Sequence, residues 1–538
     1  MTHGSSNLSH KRLSISSNQK YLLFLVIFGI FALFFALKGR SLEHKDSVRF
    51  AEVSREILEF NDWILLRLGG RIYPDKPALH FWMTALLYKI FGISPFVARI
   101  PEAVAGFCGF LITFFFARKI LRNSETAFLA AVILLSAYGY FFWAKRTRID
   151  IELAVFYSVS LIFFYYGVET PNRRHKILWY TGFWIATGCA VMSKGPVALT
   201  NLAVVISYII SVVRNPDHRN ISPKLLAITS PIVVLPILPW VIPLLKHPQF
   251  SAFKEAYDQT VIMHRGFSLF TYFYDFPIRL FPASPFFFLG LWGFFRFRKQ
   301  LANRRGLGFL LLWIGVYVFI LHLSSAKNAR YLLPIYVPSS IVAAWAIMFY
   351  CERFPEVFGK IMLWSDRIFL SMALLGLAIP FCFAWYYNVS LLSPMPYVIG
   401  LGIAFFLTRK FLPLKTAGLF LSFIMLLLSI DAADTVVDEQ TSDYLKLSRA
   451  LKNRGLASEE VIFYDCYTGY RARCAVSYYY NNVIECSNNF EELSKDSKIK
   501  GIVTTREAIA KEKSWKEFKN RHRVIPMVRD FLILLKPS

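Results

Sequence analysis

The sequence predicts a mainly α-helical, polytopic membrane protein with about 13 transmembrane helices and a small C-terminal α/β domain outside the membrane. Three observations predict it. Only 18% of the 538 residues are charged, while 55% are hydrophobic and 17% aromatic; soluble domains carry about a quarter charged residues. The apolar residues gather in long runs, such as YLLFLVIFGIFALFFAL at 21–37 and GLFLSFIMLLLSI at 418–430, and about 20 apolar helical residues cross a bilayer. Beyond residue 430 the runs shorten to strand length, as in EEVIFYD and KGIVTT. Polar helical segments such as DYLKLSRALKNRG and SWKEFKN alternate with them, which is the pattern of an α/β unit.

The elements follow in chain order. Residues 1–19 are rich in Ser, Asn and His and are expected to form a disordered cytoplasmic N-terminus. The first apolar run is long for the core of a cleaved signal and lacks a small-x-small site, so it is read as a retained span. The expected spans are 20–38, 97–119, 124–143, 149–168, 177–193, 197–213, 225–245, 283–297, 307–323, 331–351, 367–387, 396–409 and 412–430. The apolar stretch 78–94 is either a membrane-surface helix or one more span. This divides the chain into a transmembrane domain, 20–430, with a first outer loop at 39–96, and an outer domain, 431–538.

Charge sets the orientation. Lys11, Arg12 and Lys20 precede the first span, and every second loop afterwards is basic, including Arg118, Lys119 and Arg122, then Arg173, Arg174 and Lys176. Basic loops stay on the cytoplasmic side. The N-terminus is therefore expected in the cytoplasm, with 39–96, 246–282 and 431–538 outside. The net charge of +26 belongs to these loops, so no nucleic-acid partner is expected. Of the 7 cysteines, Cys108, Cys189, Cys351 and Cys382 lie in or at the edges of spans, where a thiol packs as a small apolar group. Cys466, Cys474 and Cys486 lie outside, where one disulfide can form and leave one thiol over.

Several cations break the orientation rule. Lys145, Arg146 and Arg148 in AKRTRID, Lys194 in MSKGPV, Lys327 and Arg330 in SSAKNARYLLP, and Arg265 in IMHRGF all fall on the outer side. Arg49 and Lys76 in the first outer loop join them. Any one of them is explained by lipid phosphates or a nearby carboxylate. Their recurrence suits an anionic lipid head group, which Arg and Lys bind by charge and donated hydrogen bonds. Acids accompany them. Asp46 precedes an amphipathic helix bearing Phe50, Val53 and Ile57 on one face, and its structural reading is an N-cap. Asp150 and Glu152 open a span from outside, where the helix dipole favours anions. Asp75 and Lys76 sit between prolines in YPDKP, a turn with a rigid backbone. A membrane enzyme using a lipid-phosphate sugar needs these parts: a carboxylate to orient or deprotonate an acceptor, cations for the departing phosphate and apolar walls for the lipid tail.

DSVRFAEVSREI resembles the Asp-Glu-x-Arg-Tyr-Ala-Glu-x-x-Arg-Glu pattern of the bacterial lipid A aminoarabinose transferases, polytopic GT-C-type glycosyltransferases related to protein O-mannosyltransferases. DWILLRLGGRIYPDKPALHFW resembles that family's Gly-Asp-Trp…Tyr-Phe-Glu-Lys-Pro-Pro-Leu-x-Tyr-Trp, and SKGPVAL and SSAKNARYLLPIYVP resemble two later motifs. The resemblance implies an inverting transferase of a bacterial inner membrane with a periplasmic active site. Its donor would be a polyprenyl-phosphate sugar, with 4-amino-4-deoxy-L-arabinose the first candidate, and its acceptor lipid A or a related glycan. By position it implies Asp46 and Asp150 as catalytic acids, and Arg49, Lys76, His264, Arg265 and Tyr331 as substrate-binding residues. Asp75 stands where the family has Glu and is the candidate ligand for a divalent metal ion; no nucleotide cofactor is expected. The sequence departs from the pattern at Ser47 for Glu, Phe50 for Tyr and Ala78 for the second Pro. It also lacks the acid–acid pair of the mannosyltransferases, leaving Asp46 as one candidate base. Transfer of another sugar, such as galacturonic acid or mannose, to a glycan or protein is the nearest alternative. Transport of a lipid-linked substrate is the more distant one.

Overall fold

The computed structural model describes residues 17–38, 41–42, 45–213, 221–261, 271–324, 327–411, 417–464, 470–496, 498–505, 509, 523–526 and 531–535. Helix α1 (Ser17–Phe34) leads into the first outer loop, which folds as α2 (Lys45–Glu59), a hairpin of β1 (Arg67–Leu68) and β2 (Arg71–Ile72), and α3 (Leu79–Phe91). The helical body continues with α4 (Ile100–Leu121), α5 (Ser124–Ser136), α6 (Tyr138–Ala144), α7 (Ile149–Glu169), α8 (Arg173–Lys194) and α9 (Thr200–Val213). Next come α10 (Pro223–Ile228), α11 (Leu238–Leu245), α12 (Phe250–Val261), α13 (Thr271–Leu280), α14 (Ser284–Phe297) and α15 (Arg304–Leu323). A 3-10 turn at Ala329–Ile335 opens α16 (Tyr336–Arg353), followed by α17 (Pro355–Tyr386), α18 (Met395–Phe411) and α19 (Gly418–Thr441).

Each of the thirteen expected spans is helical over most of its described length. Among the described residues, five helices are long and apolar enough to cross a membrane alone: Val97–Leu121, Ile149–Glu169, Arg304–Leu323, Ala329–Arg353 and Gly418–Val437. Three further pairs qualify together but bend by 68°, 50° and 109°. Two of these bends have a clear cause. Pro231, Pro236 and Pro239 interrupt 223–245, and Pro282 and Pro285 lie in the turn between α13 and α14 and at the start of α14; each proline lacks the N–H with which the preceding helix would continue, and is tolerated in the first turn of the next one. Helix α3 resolves the alternative at 78–94: its 13 residues stop at Gly92, whose φ is +82°, and are too few to cross the hydrocarbon layer.

The outer loop has its own core. Val48, Phe50, Val53 and Ile57 of α2 are buried against Phe81 and Tyr88 of α3, with Ile149, Met192 and Tyr478 closing the cluster. Burying each such side chain contributes about 1.5–3 kcal/mol. Asp46 is not a cap preceding α2, because the helix starts one residue earlier and holds Asp46 in its first turn. The β1–β2 turn is made by Gly69 and Gly70, both with positive φ (+63° and +74°), as a two-residue hairpin requires. Their N–H groups donate to the Glu56 carboxylate at 2.5 and 3.0 Å, fastening the hairpin to α2.

The C-terminal α/β unit consists of α20 (Asp443–Lys452), β3 (Val461–Tyr464), α21 (Tyr470–Tyr480), β4 (Cys486–Ser487), α22 (Phe490–Lys495), β5 (Gly501–Thr505), β6 (Arg523–Pro526) and β7 (Phe531–Leu535). Its sheet order is β4-β3-β5-β7-β6; β3 runs parallel to β4 and β5, while β7 is antiparallel to β5 and β6. EEVIFYD and KGIVTT thus supply buried strands, whereas SWKEFKN lies outside the described residues. Helix α19 runs on to Thr441, so the helical body passes the expected boundary at 430 before the sheet begins. Cys486 is disulfide-bonded, and Cys474 is a buried cysteine outside the disulfide. The unit rests on the outer loop through Tyr88 Oη donating to Tyr478 Oη at 3.2 Å, Leu42 N to Tyr479 Oη at 3.0 Å and Val483 N to Glu59 Oε1 at 3.2 Å.

Candidate active site

Asp46 is the hub of an ion-pair network assembled from separate parts of the chain. Its Oδ2 meets Arg148 Nη1 at 2.7 Å and Arg330 Nη1 at 3.2 Å, and its Oδ1 meets Arg49 Nη2 at 3.3 Å. Arg49 extends the network to Asp75 Oδ2 at 3.4 Å. Asp75 Oδ1 accepts from Lys76 Nζ at 2.8 Å, and Tyr73 Oη donates to Asp75 Oδ2 at 3.2 Å. On the other side, Arg330 Nε lies 3.4 Å from Asp150 Oδ2, and Lys194 pairs closely with Asp150 Oδ1. Lys194 Nζ also sits 4.1 Å from the centre of the Tyr331 ring, a cation–π contact.

Local structure explains how each group is presented. Asp46 and Arg49 are three residues apart on α2 and so share a face. Arg148 is the last extended residue before α7, and Asp150 lies in that helix's first turn. Lys194 ends α8, where Gly195 (φ +86°) turns the chain away. Asn328 accepts from Arg330 N at 3.2 Å and starts the 3-10 turn that carries Arg330 and Tyr331. The Arg148 side chain is 2% exposed; burial pulls its guanidinium down to about 10, against the opposing pull of Asp46. Burial alone would raise Asp75, yet Lys76 and Arg49 outweigh it and hold the carboxyl below the usual range.

The network opens onto a cavity of about 520 Å³ lined by Asp75, Lys76, Lys194, Met192, Trp240 and Tyr257, among others. Small-molecule sites are typically about 300–1,000 Å³ and mostly apolar with a few polar groups. Among the described residues, five cations (Arg49, Lys76, Arg148, Lys194 and Arg330) face three carboxylates (Asp46, Asp75 and Asp150), a formal charge of +2. It can receive an anion at the mouth of an apolar hollow.

Of the sequence-predicted residues, Asp46, Arg49, Asp75, Lys76, Asp150 and Tyr331 come together. Tyr331 joins through its ring face under Lys194, while its carbonyl accepts from Tyr317 Oη at 3.0 Å. His264 and Arg265 lie outside the described residues. Both Asp75 oxygens are already engaged by Lys76, Arg49 and Tyr73, so a metal ion there has to displace one of these partners. Arg148, Lys194 and Arg330 were legible as misplaced cations but are absent from the sequence-predicted site. The other described misplaced cations, Lys145, Arg146 and Lys327, have structural roles. Lys145 Nζ pairs with Asp431 at 2.7 Å and donates to the carbonyls of Ala32 and Phe35. Lys327 Nζ donates to the carbonyls of Leu321 and His322 at the end of α15. Arg146 stacks 3.9 Å from the centre of the Phe142 ring.

This fold is that of a polytopic helical membrane protein with a small α/β unit after its last long helix. The chain superposes on the crystal structure of ArnT from Cupriavidus metallidurans in the apo state with a TM-score of 0.73 over 97% of this chain and 100% of that one, at 18% identity. The structure of the same protein bound to undecaprenyl phosphate gives 0.70 over 96% and 98%, also at 18% identity. Residues 75–240 match the family described as dolichyl-phosphate-mannose-protein mannosyltransferase. The chain is similar to proteins named undecaprenyl phosphate-alpha-4-amino-4-deoxy-L-arabinose arabinosyl transferase. It is 27% identical to transferase 1 of Proteus mirabilis over 68% of this chain and 66% of that protein. It is 27% identical to the Yersinia enterocolitica protein over 59% and 58%. The matches therefore span less than two thirds of these relatives' own lengths.

Proposed function

We propose that the chain is an inverting glycosyltransferase of a bacterial inner membrane. It moves a sugar, with 4-amino-4-deoxy-L-arabinose the first candidate, from a polyprenyl-phosphate donor to lipid A or a related envelope acceptor. The active site and the C-terminal α/β domain face the periplasm, and the N-terminus faces the cytoplasm. The observation that carries this reading is the +2 network lying against an apolar-walled cavity, with Lys76 and Lys194 belonging to both. The relatives' printed activity and the similarity to a protein solved with undecaprenyl phosphate support the choice of donor.

In this reading an acceptor oxygen attacks the anomeric carbon from the face opposite the phosphate. The bond from that carbon to the phosphate oxygen breaks, and its electron pair leaves with the lipid phosphate. Lys76, Lys194 and Arg330 offset the charge that grows on the phosphate. Asp46 is held by three guanidinium groups, so its lone pairs are engaged in positioning Arg49, Arg148 and Arg330. That clamp suits an acceptor that is already anionic, such as a lipid A phosphate, which needs no strong base. The test is incubation of the purified full chain with a panel of polyprenyl-phosphate sugars and lipid A, read by mass spectrometry. Sugar-bearing lipid A is expected, with Lys76→Ala about 10²–10³ slower. Absence of transfer from every donor in the panel, or near-normal turnover by folded Lys76→Ala, overturns the proposal.

A further inference from the structure

Behind the ion-pair network lies a second polar cluster: His80 of α3, Glu102 of α4 and Glu152 of α7. One ligating atom from each lies within 4.8 Å of the others. His80 Nδ1 is 2.9 Å from Glu152 Oε1 and 3.5 Å from Glu102 Oε1, and the three side chains are 0%, 0% and 1% exposed. Three of their polar atoms, His80 Nε2, Glu102 Oε2 and Glu152 Oε2, are buried with no hydrogen-bond partner. Among the described residues, His80 is the one basic side chain that pairs with either glutamate. Two buried carboxylates against one imidazole leave negative charge unmatched, and buried charge persists where it is paired or coordinates a metal.

We propose that His80, Glu102 and Glu152 bind one divalent transition-metal ion of the zinc class. The donor set selects the class: imidazole nitrogen with carboxylate oxygens suits zinc and its neighbours, whereas magnesium and calcium favour all-oxygen sets. The ion is a structural cross-link and touches no substrate. Each ligand is linked to a residue of the outer network. Glu152 lies two residues after Asp150, His80 four residues after Lys76, and Glu102 Oε1 accepts from the backbone N–H of Arg148 at 2.7 Å. An ion joining α3, α4 and α7 therefore fixes the spacing of Lys76, Arg148 and Asp150. The site is separate from Asp75, whose oxygens are held by Lys76, Arg49 and Tyr73.

The experiment reads metal directly, so its result stands apart from transfer activity. The full chain, carrying a histidine-free tag, is purified in detergent, incubated with zinc or manganese, desalted and analysed by plasma mass spectrometry. About one equivalent is expected per chain, with X-ray absorption showing one nitrogen and carboxylate-oxygen ligation. His80→Ala and Glu152→Gln should each weaken retention at least about tenfold, while Asp75→Ala retains the ion. Size-exclusion profiles identify variants that fold; where one does not, the wild-type stoichiometry and absorption spectrum decide alone. Wild type that retains neither metal, or folded Glu152→Gln that retains the full equivalent, overturns the proposal in favour of a cluster neutralised by protons.

Discussion

Asp46→Ala measures what its carboxylate does for the guanidinium groups around it. The 2.7 Å contact to Arg148 is the most buried, with the Arg148 side chain 2% exposed. Arg330 and Arg49 are 17% and 24% exposed and lie farther away. Removing one partner of a buried pair costs about 3–5 kcal/mol, because the other charge stays behind uncompensated. Partly exposed pairs contribute nearer 0–1 kcal/mol each. The expected loss is therefore about 3–5 kcal/mol, most of it from Arg148. Burial already pulls that guanidinium down to about 10, and removing Asp46 takes away an opposing influence. Adding Arg148→Met to Asp46→Ala removes the guanidinium that has lost its 2.7 Å carboxylate partner and supplies apolar volume beside Trp143, whose ring centre is 4.7 Å from the guanidinium carbon. The double variant should recover most of the lost stability. Chemical unfolding at fixed detergent provides the four corners of this cycle. If Asp46→Ala unfolds with wild type, or the double variant is no more stable than the single one, the account of Asp46 as the clamp fails.

Three further predictions follow from the outer loop and the helical body. Burial, and then Glu52, pushes Glu56 up to about 8 from 4.5, despite the Gly69 and Gly70 amides. A raised acid keeps its proton in the folded state, so its contribution to stability is full below about 4.5 and fades as the pH rises through 8. Glu56→Gln should flatten the fall in melting temperature across that window; an unchanged slope contradicts the assignment. Gly69→Ala puts a side chain at φ +63° and its Cβ about 2.5 Å from Arg473 Nη2. It should cost about 1–2 kcal/mol and speed proteolytic release of the C-terminal unit; equal release rates would count against the hairpin as a docking element. Lys145→Ala removes a buried cation paired with Asp431 and two carbonyls and should cost about 1–3 kcal/mol, yet leave the donor KM of the folded enzyme unchanged. A raised KM would place Lys145 in the site.

Helix positions were legible because apolar runs of spanning length have few alternatives once the backbone must satisfy itself in lipid. Bends were less legible: the proline-rich stretches announce two of the three, whereas the break at Ala137 has no proline at the junction. Orientation-breaking cations pointed to the right face of the molecule but did not distinguish two fates. Arg330 reaches the Asp46 network, whereas Lys327 turns to the carbonyls at the end of α15 and Lys145 to Asp431 and the carbonyls of Ala32 and Phe35 in the helical body. Both kinds read alike, since each is a cation near an outer helix end. The reading of Asp46 as a cap placed the helix start two residues late, because nothing local to DSVRF marks where α2 begins. His80, Glu102 and Glu152 had a fainter signal: an acid two residues into a spanning helix, another near the start of a second, and an imidazole in an apolar stretch. No spacing connects them until α3, α4 and α7 pack.

The proportion of acids to bases in the site bears on the direction of the reaction. Five cations alone would repel one another by roughly 4 kcal/mol per pair at 4 Å in surroundings of intermediate polarity, so a purely basic pocket would splay open. Asp46, Asp75 and Asp150 hold it together and leave a formal charge of +2. A polyprenyl-phosphate sugar is a phosphodiester with a single negative charge, whereas the departing polyprenyl phosphate is a monoester that approaches two. In the proposed reaction the network would therefore match the leaving group more closely than the donor, with attraction growing as the glycosyl bond breaks. Interactions that strengthen on the way to the transition state are those that raise rate. Losing one acid should then loosen the site and increase its positive charge at once. Asp150→Asn tests this because Asp150 pairs with both Lys194 and Arg330. The variant should bind polyprenyl phosphate, the product, more tightly while turning over more slowly. Weaker product binding together with slower turnover would show that Asp150 acts by geometry alone.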